Sequence, residues 1–328
     1  MKIVVLDDYA DVFRKSADFR RLADHEVVIH NDTEKDPAKL AARLKDADAV
    51  VLTQERSAFP RSVIEKLPRL KMIAQTGSHR HHYDREACSE RGILVCTSAP
   101  SNSKAYSTSE LTWALILASV RHLPYEVERL KQGSWQSTVG TELYDKTLGI
   151  YGLGKIGGYV AAVGKAFGMN VTCWGRESSK ERARKEGYGV PESREAFFGT
   201  ADILSLHLFA NEETRGIVKA ADLACMKPTA LLVNSSRMRL IEDGALVAAL
   251  KRGRPGFAAV DVYEDEPVLG GDHPLLKMPN ALCAPHLGYA VTEKYENFYR
   301  NAVDNILAFA SGKPTNVFNT EALGKKVL

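Results

Sequence analysis

Short apolar runs rich in Val and Ile alternate with stretches of helical spacing along almost the whole chain. Residues 2–6, 26–29, 49–52, 71–74 and 93–96 are brief and apolar, and their length and β-branched content predict strands. Between them, 37–45 and 62–67 carry helical spacing, the second framed by Pro60 and Pro68. The rhythm restarts at Thr147, with strands expected at 147–151, 170–174, 203–206, 230–234, 257–260 and 281–284. Helices are expected at 155–167, 180–186, 220–226 and 242–251. Strands that alternate with helices feed parallel sheets. The pattern therefore predicts an α/β protein with two doubly wound, Rossmann-like parallel-sheet domains.

Two long segments break this rhythm. The loop 98–103, with Pro100 and many small polar residues, suits a crossing between domains. After it, 106–122 reads as one helix with Ser107, Thr108 or Ser109 as its N-cap. Its centre is apolar on nearly every face, which calls for burial all round. A homodimer contact is the favoured reading, with a central core helix as the alternative. Glu110 and Trp113 on it are read as structural. The last helix, 292–311, is expected to return and cover the first block of strands, which otherwise lacks a cover.

Composition narrows the class. A chain of 328 residues argues two domains at about 150 residues each. Hydrophobic residues at 45% and charged residues at 26% exclude intrinsic disorder. A net charge of +3 gives no argument for nucleic acid or a membrane surface as partner. The longest strongly apolar run, 111–120, is about half of a bilayer span, and Asp7 and Asp8 interrupt any secretory h-region. Five scattered cysteines without C-x-x-C spacing argue against a disulfide framework or a zinc site and for a reducing cytoplasm.

The most informative string is 148–157, L-G-I-Y-G-L-G-K-I-G. Gly152, Gly154 and Gly157 complete G-x-G-x-x-G directly after an expected strand and before an expected helix, with Leu153, Lys155 and Ile156 between them. The first glycine makes the tight turn, the second admits a pyrophosphate to the backbone, and the third lets helix and strand pack closely. The helix N-terminus adds N–H donors and partial positive charge. The acid that would hold a ribose 2′-hydroxyl is expected about 20 residues on. Gly175 stands there, followed by Arg176, which suits a 2′-phosphate. This favours NADP(H), with Glu177 as a route to NAD(H) and a solvated helix start as the bland reading of Arg176. Leu206 and His207 end a strand beside the expected adenosine, and Thr214 is a candidate for phosphate or ribose.

Three further segments place a polar residue after an expected strand: Arg237 after 230–234, acids around Glu266 after 257–260, and His286 after 281–284. Ligands of open α/β sheets sit at the carboxyl ends of strands, so these three can share one crevice. Glu264 and Asp265 compete with Glu266, and Arg239 with Arg237.

Taken together, the L-x-x-K-T-L-G-I-x-G-L-G-x-I-G, N-x-S-R, D-V-x-x-x-E-P and P-H-x-G blocks resemble the D-isomer-specific 2-hydroxyacid dehydrogenase family over nearly the whole chain. The resemblance implies Arg237, Glu266 and His286 as catalytic residues and Asp261 near the nicotinamide carboxamide. It also implies a discontinuous substrate domain, 1–98 plus 288–328, around a dinucleotide domain, 99–287, with an interdomain cleft. The loop at Thr76, Gly77 and Ser78 is implied to bind the substrate carboxylate through backbone N–H groups. Met238 departs from the glycine usual after the arginine, which bears on local backbone and substrate size. The loop's usual second glycine is also missing, replaced within a stretch carrying His79, Arg80, His81 and His82; no metal is expected there.

These residue types suit the chemistry. Hydride addition to a 2-keto acid leaves negative charge on the carbonyl oxygen. His286 can protonate it, Glu266 can stabilise and orient the imidazolium, and Arg237 can bind the carboxylate and polarise the carbonyl. The expected activity is NAD(P)-dependent interconversion of a D-2-hydroxy acid and its 2-keto acid. The alternatives are a dinucleotide-sensing, corepressor-like interaction protein or a dehydrogenase of a noncanonical carbonyl substrate.

Overall fold

The computed structural model describes residues 1–77, 81–98 and 106–325. The chain divides into two compact units, Met1–Asn102 with Val291–Leu328, and Ser103–Ala290.

The first unit holds β1 (Lys2–Val5), β2 (Glu26–Ile29), β3 (Ala49–Leu52), β4 (Met72–Gln75) and β5 (Leu94–Cys96), all parallel in the order β2-β1-β3-β4-β5. Its short helices are α1 (Val12–Lys15), α2 (Pro37–Leu44), α3 (Arg61–Ile64) and α4 (Arg85–Glu90). Asp36 starts α2 by accepting from the N–H groups of Ala38 and Lys39 ahead of a helix that opens on proline. Successive strand residues point to opposite faces. Val4, Val50 and Ile73 pack under Leu40, Leu44 and Ile64, while Ile3, Val5 and Val51 pack on the other side. That second face is covered by Tyr299, Val303 and Ile306 of the C-terminal helix Thr292–Ala310, as the uncovered block requires.

The second unit holds β6 (Thr147–Tyr151), β7 (Asn170–Trp174), β8 (Ile203–Leu206), β9 (Leu231–Asn234), β10 (Phe257–Val260) and β11 (Ala281–Cys283), parallel in the order β11-β10-β9-β8-β6-β7. Its helices are α5 (Tyr106–Val120), α6 (Leu123–Lys131), α7 (Lys155–Ala166), α8 (Glu177–Lys185), α9 (Arg194–Thr200), α10 (Ala220–Cys225) and α11 (Ala245–Arg252). The protein is thus α/β with two parallel-sheet domains. β8 lies on the opposite side of β6 from β7, so the order reverses at β6, where ligands of such sheets bind.

Several boundaries differ from the sequence reading. Ser107, Thr108 and Ser109 lie inside α5 rather than capping it. That helix is not buried all round: Trp113, Leu115 and Ile116 are buried, with the helix against α7, β9 and β10, but Leu117 is exposed. α8 begins at Glu177, with Arg176 as its N-cap. No helix among the described residues is long and apolar enough to cross a membrane.

Candidate active site

Where β6 ends, three glycines meet three different demands. Gly152 turns the chain at φ 98, and a Cβ there would stand 2.9 Å from the His207 carbonyl oxygen. A Cβ on Gly157 would lie 2.2 Å from the Gly152 carbonyl oxygen, so α7 rides directly on the turn. A Cβ on Gly154 would meet nothing within 4 Å. The backbone at Gly154 is therefore open to a close-approaching group, beside the first-turn N–H groups that Lys155 and Ile156 contribute. The residues present fit a dinucleotide pyrophosphate. Leu153 is buried in the core, so it can serve such a ligand only through its backbone.

Beyond β7, Arg176 reaches Glu213 at 2.7 Å, both largely exposed. Glu177 turns along α8 to Arg184 at 3.0 Å, and Lys180 lies 4.1 Å from the Trp174 ring centroid. After Leu206, at the buried end of β8, His207 Nε2 pairs with Ser205 Oγ at 2.9 Å. Burial pushes His207 down to about 3, so its ring stays neutral and brings no cation to the turn. The Thr214 hydroxyl donates to Phe209 O at 2.7 Å and holds its own loop together.

Three adjacent strands carry the remaining groups. His286 Nδ1 contacts Glu266 Oε2 in a tight hydrogen bond, and Glu266 Oε1 accepts from Tyr263 N at 2.9 Å. Glu264 instead faces His273 at 2.9 Å, so of these two acids it is Glu266 that meets His286. His286 sits in the left-handed region at φ 55. Fully buried Asp261 stabilises that turn, accepting from Leu287 N at 2.7 Å and Gly288 N at 2.9 Å. Its burial raises its pKa, against the lowering effect of those two N–H groups and of His286. Arg237 follows β9, the neighbour of β10, and its Nη1 donates to Ser236 O at 2.8 Å. Arg239, in the short turn after β9, donates to Ala210 O at 3.0 Å and so ties to the loop beyond β8. Met238 is buried among core residues, so its departure from glycine is a packing feature.

In the first unit, Thr76 N donates to Leu52 O at 3.0 Å and Gly77 N to Ser98 Oγ at 2.9 Å. Both N–H groups proposed for a carboxylate thus have internal partners, and Ser78, His79 and Arg80 lie outside the described residues. Reasoning from sequence missed the polar groups at the same carboxyl edge. Asp7, Gln54 and Arg56 are buried there, with Asp7 accepting from Ser57 Oγ at 2.8 Å. Burial raises the Asp7 pKa, opposed by the hydroxyls of Thr33 and Ser57 and the charge of Arg56. The carboxyl-end rule that found Arg237 could have flagged them.

In the second unit, then, one part of a parallel-sheet edge forms a dinucleotide cradle and another a carboxylate–imidazole pair: the layout of a nicotinamide-dependent dehydrogenase. Comparison with known proteins agrees. Residues 113–288 match the family model of the D-isomer specific 2-hydroxyacid dehydrogenase NAD binding domain. A glyoxylate reductase of Aeropyrum pernix is 37% identical over 294 residues, 87% of this chain and 86% of that one. A D-3-phosphoglycerate dehydrogenase of Methanocaldococcus jannaschii is 38% identical over 257 residues, 78% of this chain but 48% of its own length. The solved phosphoglycerate oxidoreductase of Vibrio cholerae superposes with a TM-score of 0.89 at 44% identity, covering 95% of this chain and 99% of that one. The protein belongs to the D-isomer specific 2-hydroxyacid dehydrogenase family and is an oxidoreductase acting on CH–OH donors.

Proposed function

We propose that the protein reduces a 2-keto acid to its D-2-hydroxy acid, and reverses that reaction, with His286 as proton donor and acceptor. The contact between Glu266 and His286 carries this reading. With Nδ1 committed to the carboxylate, Nε2 is the nitrogen left to protonate a carbonyl oxygen. Glu266, fixed in turn by Tyr263 N–H, stabilises the imidazolium that forms in the oxidative direction. Arg237 supplies a planar donor set for the substrate carboxylate. Asp261 acts by holding the His286 turn. A nicotinamide dinucleotide, once bound, supplies or takes the hydride; Leu153, Gly154, Lys155 and Ile156 meet its pyrophosphate through their backbone, on a turn shaped by Gly152 and Gly157. A panel of glyoxylate, hydroxypyruvate and phosphohydroxypyruvate with NADPH and NADH tests the proposal; no cofactor oxidation with any 2-keto acid would contradict it.

NADP(H) is the proposed preference. Two features support it: no acid occupies the Gly175 position, and Arg176, at the N-cap of α8, keeps a largely exposed guanidinium whose ion pair with Glu213 lies in solvent. We also propose a homodimer in a reducing cytoplasm. α6 buries none of its residues, yet it exposes Leu123, Tyr125 and Leu130, and Trp135 and Val139 beyond it are exposed as well. Covering this face with a second copy satisfies it, and sedimentation equilibrium tests the assembly. All five cysteines are unpaired, in keeping with that compartment.

A further inference from the structure

A fourth glycine follows the phosphate turn, and the structure gives it a specific neighbour. A Cβ on Gly158 would stand 2.9 Å from Nη2 of Arg182, a residue of α8. The same guanidinium donates through Nη1 to Leu153 O at 3.1 Å and through Nε to Glu186 Oε1 at 2.6 Å. Arg182 therefore crosses from α8 onto the first turn of α7, through a gap that exists because residue 158 has no side chain.

We infer that Arg182 is a positioning residue for dinucleotide binding, clamping the phosphate turn from the α8 side; this rests on the dinucleotide reading proposed above. In a trans peptide the carbonyl and the following N–H point in opposite directions. Holding Leu153 O toward α8 thus aims the Gly154 N–H away from it and fixes the peptide plane in the middle of the turn. The charge points the same way. A cation at a helix N-terminus works against the helix dipole, whereas an anion there is favoured. Arg182 is unfavourable for α7 alone, and that cost is offset when a pyrophosphate shares the turn. Glu186, one helical turn along α8, orients the guanidinium.

Gly158→Ala provides a test that does not remove the arginine. The atom it would displace is the end of a flexible side chain, and alanine suits a helix interior better than glycine. Calorimetric titration of the full chain with NADPH and NADH should show Arg182→Ala weakening both about tenfold, a loss of about 1.4 kcal/mol. Gly158→Ala should weaken them by a similar factor, and the double variant should be no worse than Arg182→Ala within about twofold, because both changes remove one contact. Arg182→Lys, which keeps the charge but not the fork, should recover only part of the affinity. In turnover, the loss should fall on KM for the dinucleotide while KM for the keto acid holds. Unchanged affinity in either single variant, or losses that multiply in the double, would overturn the clamp while leaving the proposed function standing. Failure of the unaltered protein to bind either dinucleotide would overturn both.

Discussion

Gly154 and Gly157 lie three residues apart in one motif, yet the structure assigns them opposite sensitivities to a methyl group. Gly154 has a negative φ, −83, in extended backbone, and its added Cβ touches nothing within 4 Å. Gly154→Ala should leave folding stability within about 1 kcal/mol of the parent, since reduced chain entropy in the unfolded state offsets the poorer cap. The same methyl stands where a pyrophosphate must approach the backbone. Affinity for NADPH should fall at least about a hundredfold, or about 2.7 kcal/mol. Gly157→Ala inverts the pattern. Its Cβ would lie 2.2 Å from a backbone oxygen that only a shift of the whole turn can move. It should cost about 1–3 kcal/mol or more in stability. Thermal melting and titration calorimetry on the two variants separate the effects. Gly154→Ala binding like the parent would refute the cradle, and Gly157→Ala melting like the parent would refute the packing.

Other consequences are equally open to measurement. Asp261→Asn keeps one acceptor oxygen and leaves one of the Leu287 and Gly288 N–H groups unpaired, so melting should fall by an amount matching about 1–3 kcal/mol, with a fall in turnover; unchanged values for both would contradict its positioning role. His207 is held neutral down to about 3, whereas the unfolded chain takes up a proton near 6.5. Stability should therefore drop as pH falls below about 6.5, by up to about 1.4 kcal/mol per pH unit from this group, and His207→Gln should show a shallower decline. Identical pH slopes in the two proteins would count against that burial. Arg176→Ala should weaken NADPH binding more than NADH binding, and equal losses would argue against the proposed cofactor preference.

The strands were legible because parallel strands buried on both faces read as continuous apolar runs, and all eleven expected runs overlap observed strands. α6 was not legible. Leu123, Val127 and Leu130 do stand at i, i+4 and i+7, but the helix spans only 9 residues, Tyr125 lies off the stripe, and none of them is buried. α9 was missed because its core contribution is two consecutive phenylalanines, Phe197 and Phe198, with no period to read. The site divides in the same way. The glycine turn and the residues after β9, β10 and β11 follow from local spacing and the strand-end rule. The separation of Glu266 from Glu264 depends on which histidine each one meets, His286 or His273, 20 and 9 residues further along the chain. Arg182 reaches Leu153 across 29 residues, a contact no local pattern announces.

The proton-transfer role of His286 is tested most directly by comparing turnover and dinucleotide affinity in His286→Ala. Loss of a general acid costs roughly 10²- to 10⁴-fold in rate. Keto-acid-dependent oxidation of reduced nicotinamide should fall within that range while the dissociation constant for the dinucleotide changes by less than about twofold, because the cradle at Gly154 follows β6 whereas His286 follows β11. Turnover near that of the unaltered protein would contradict the account.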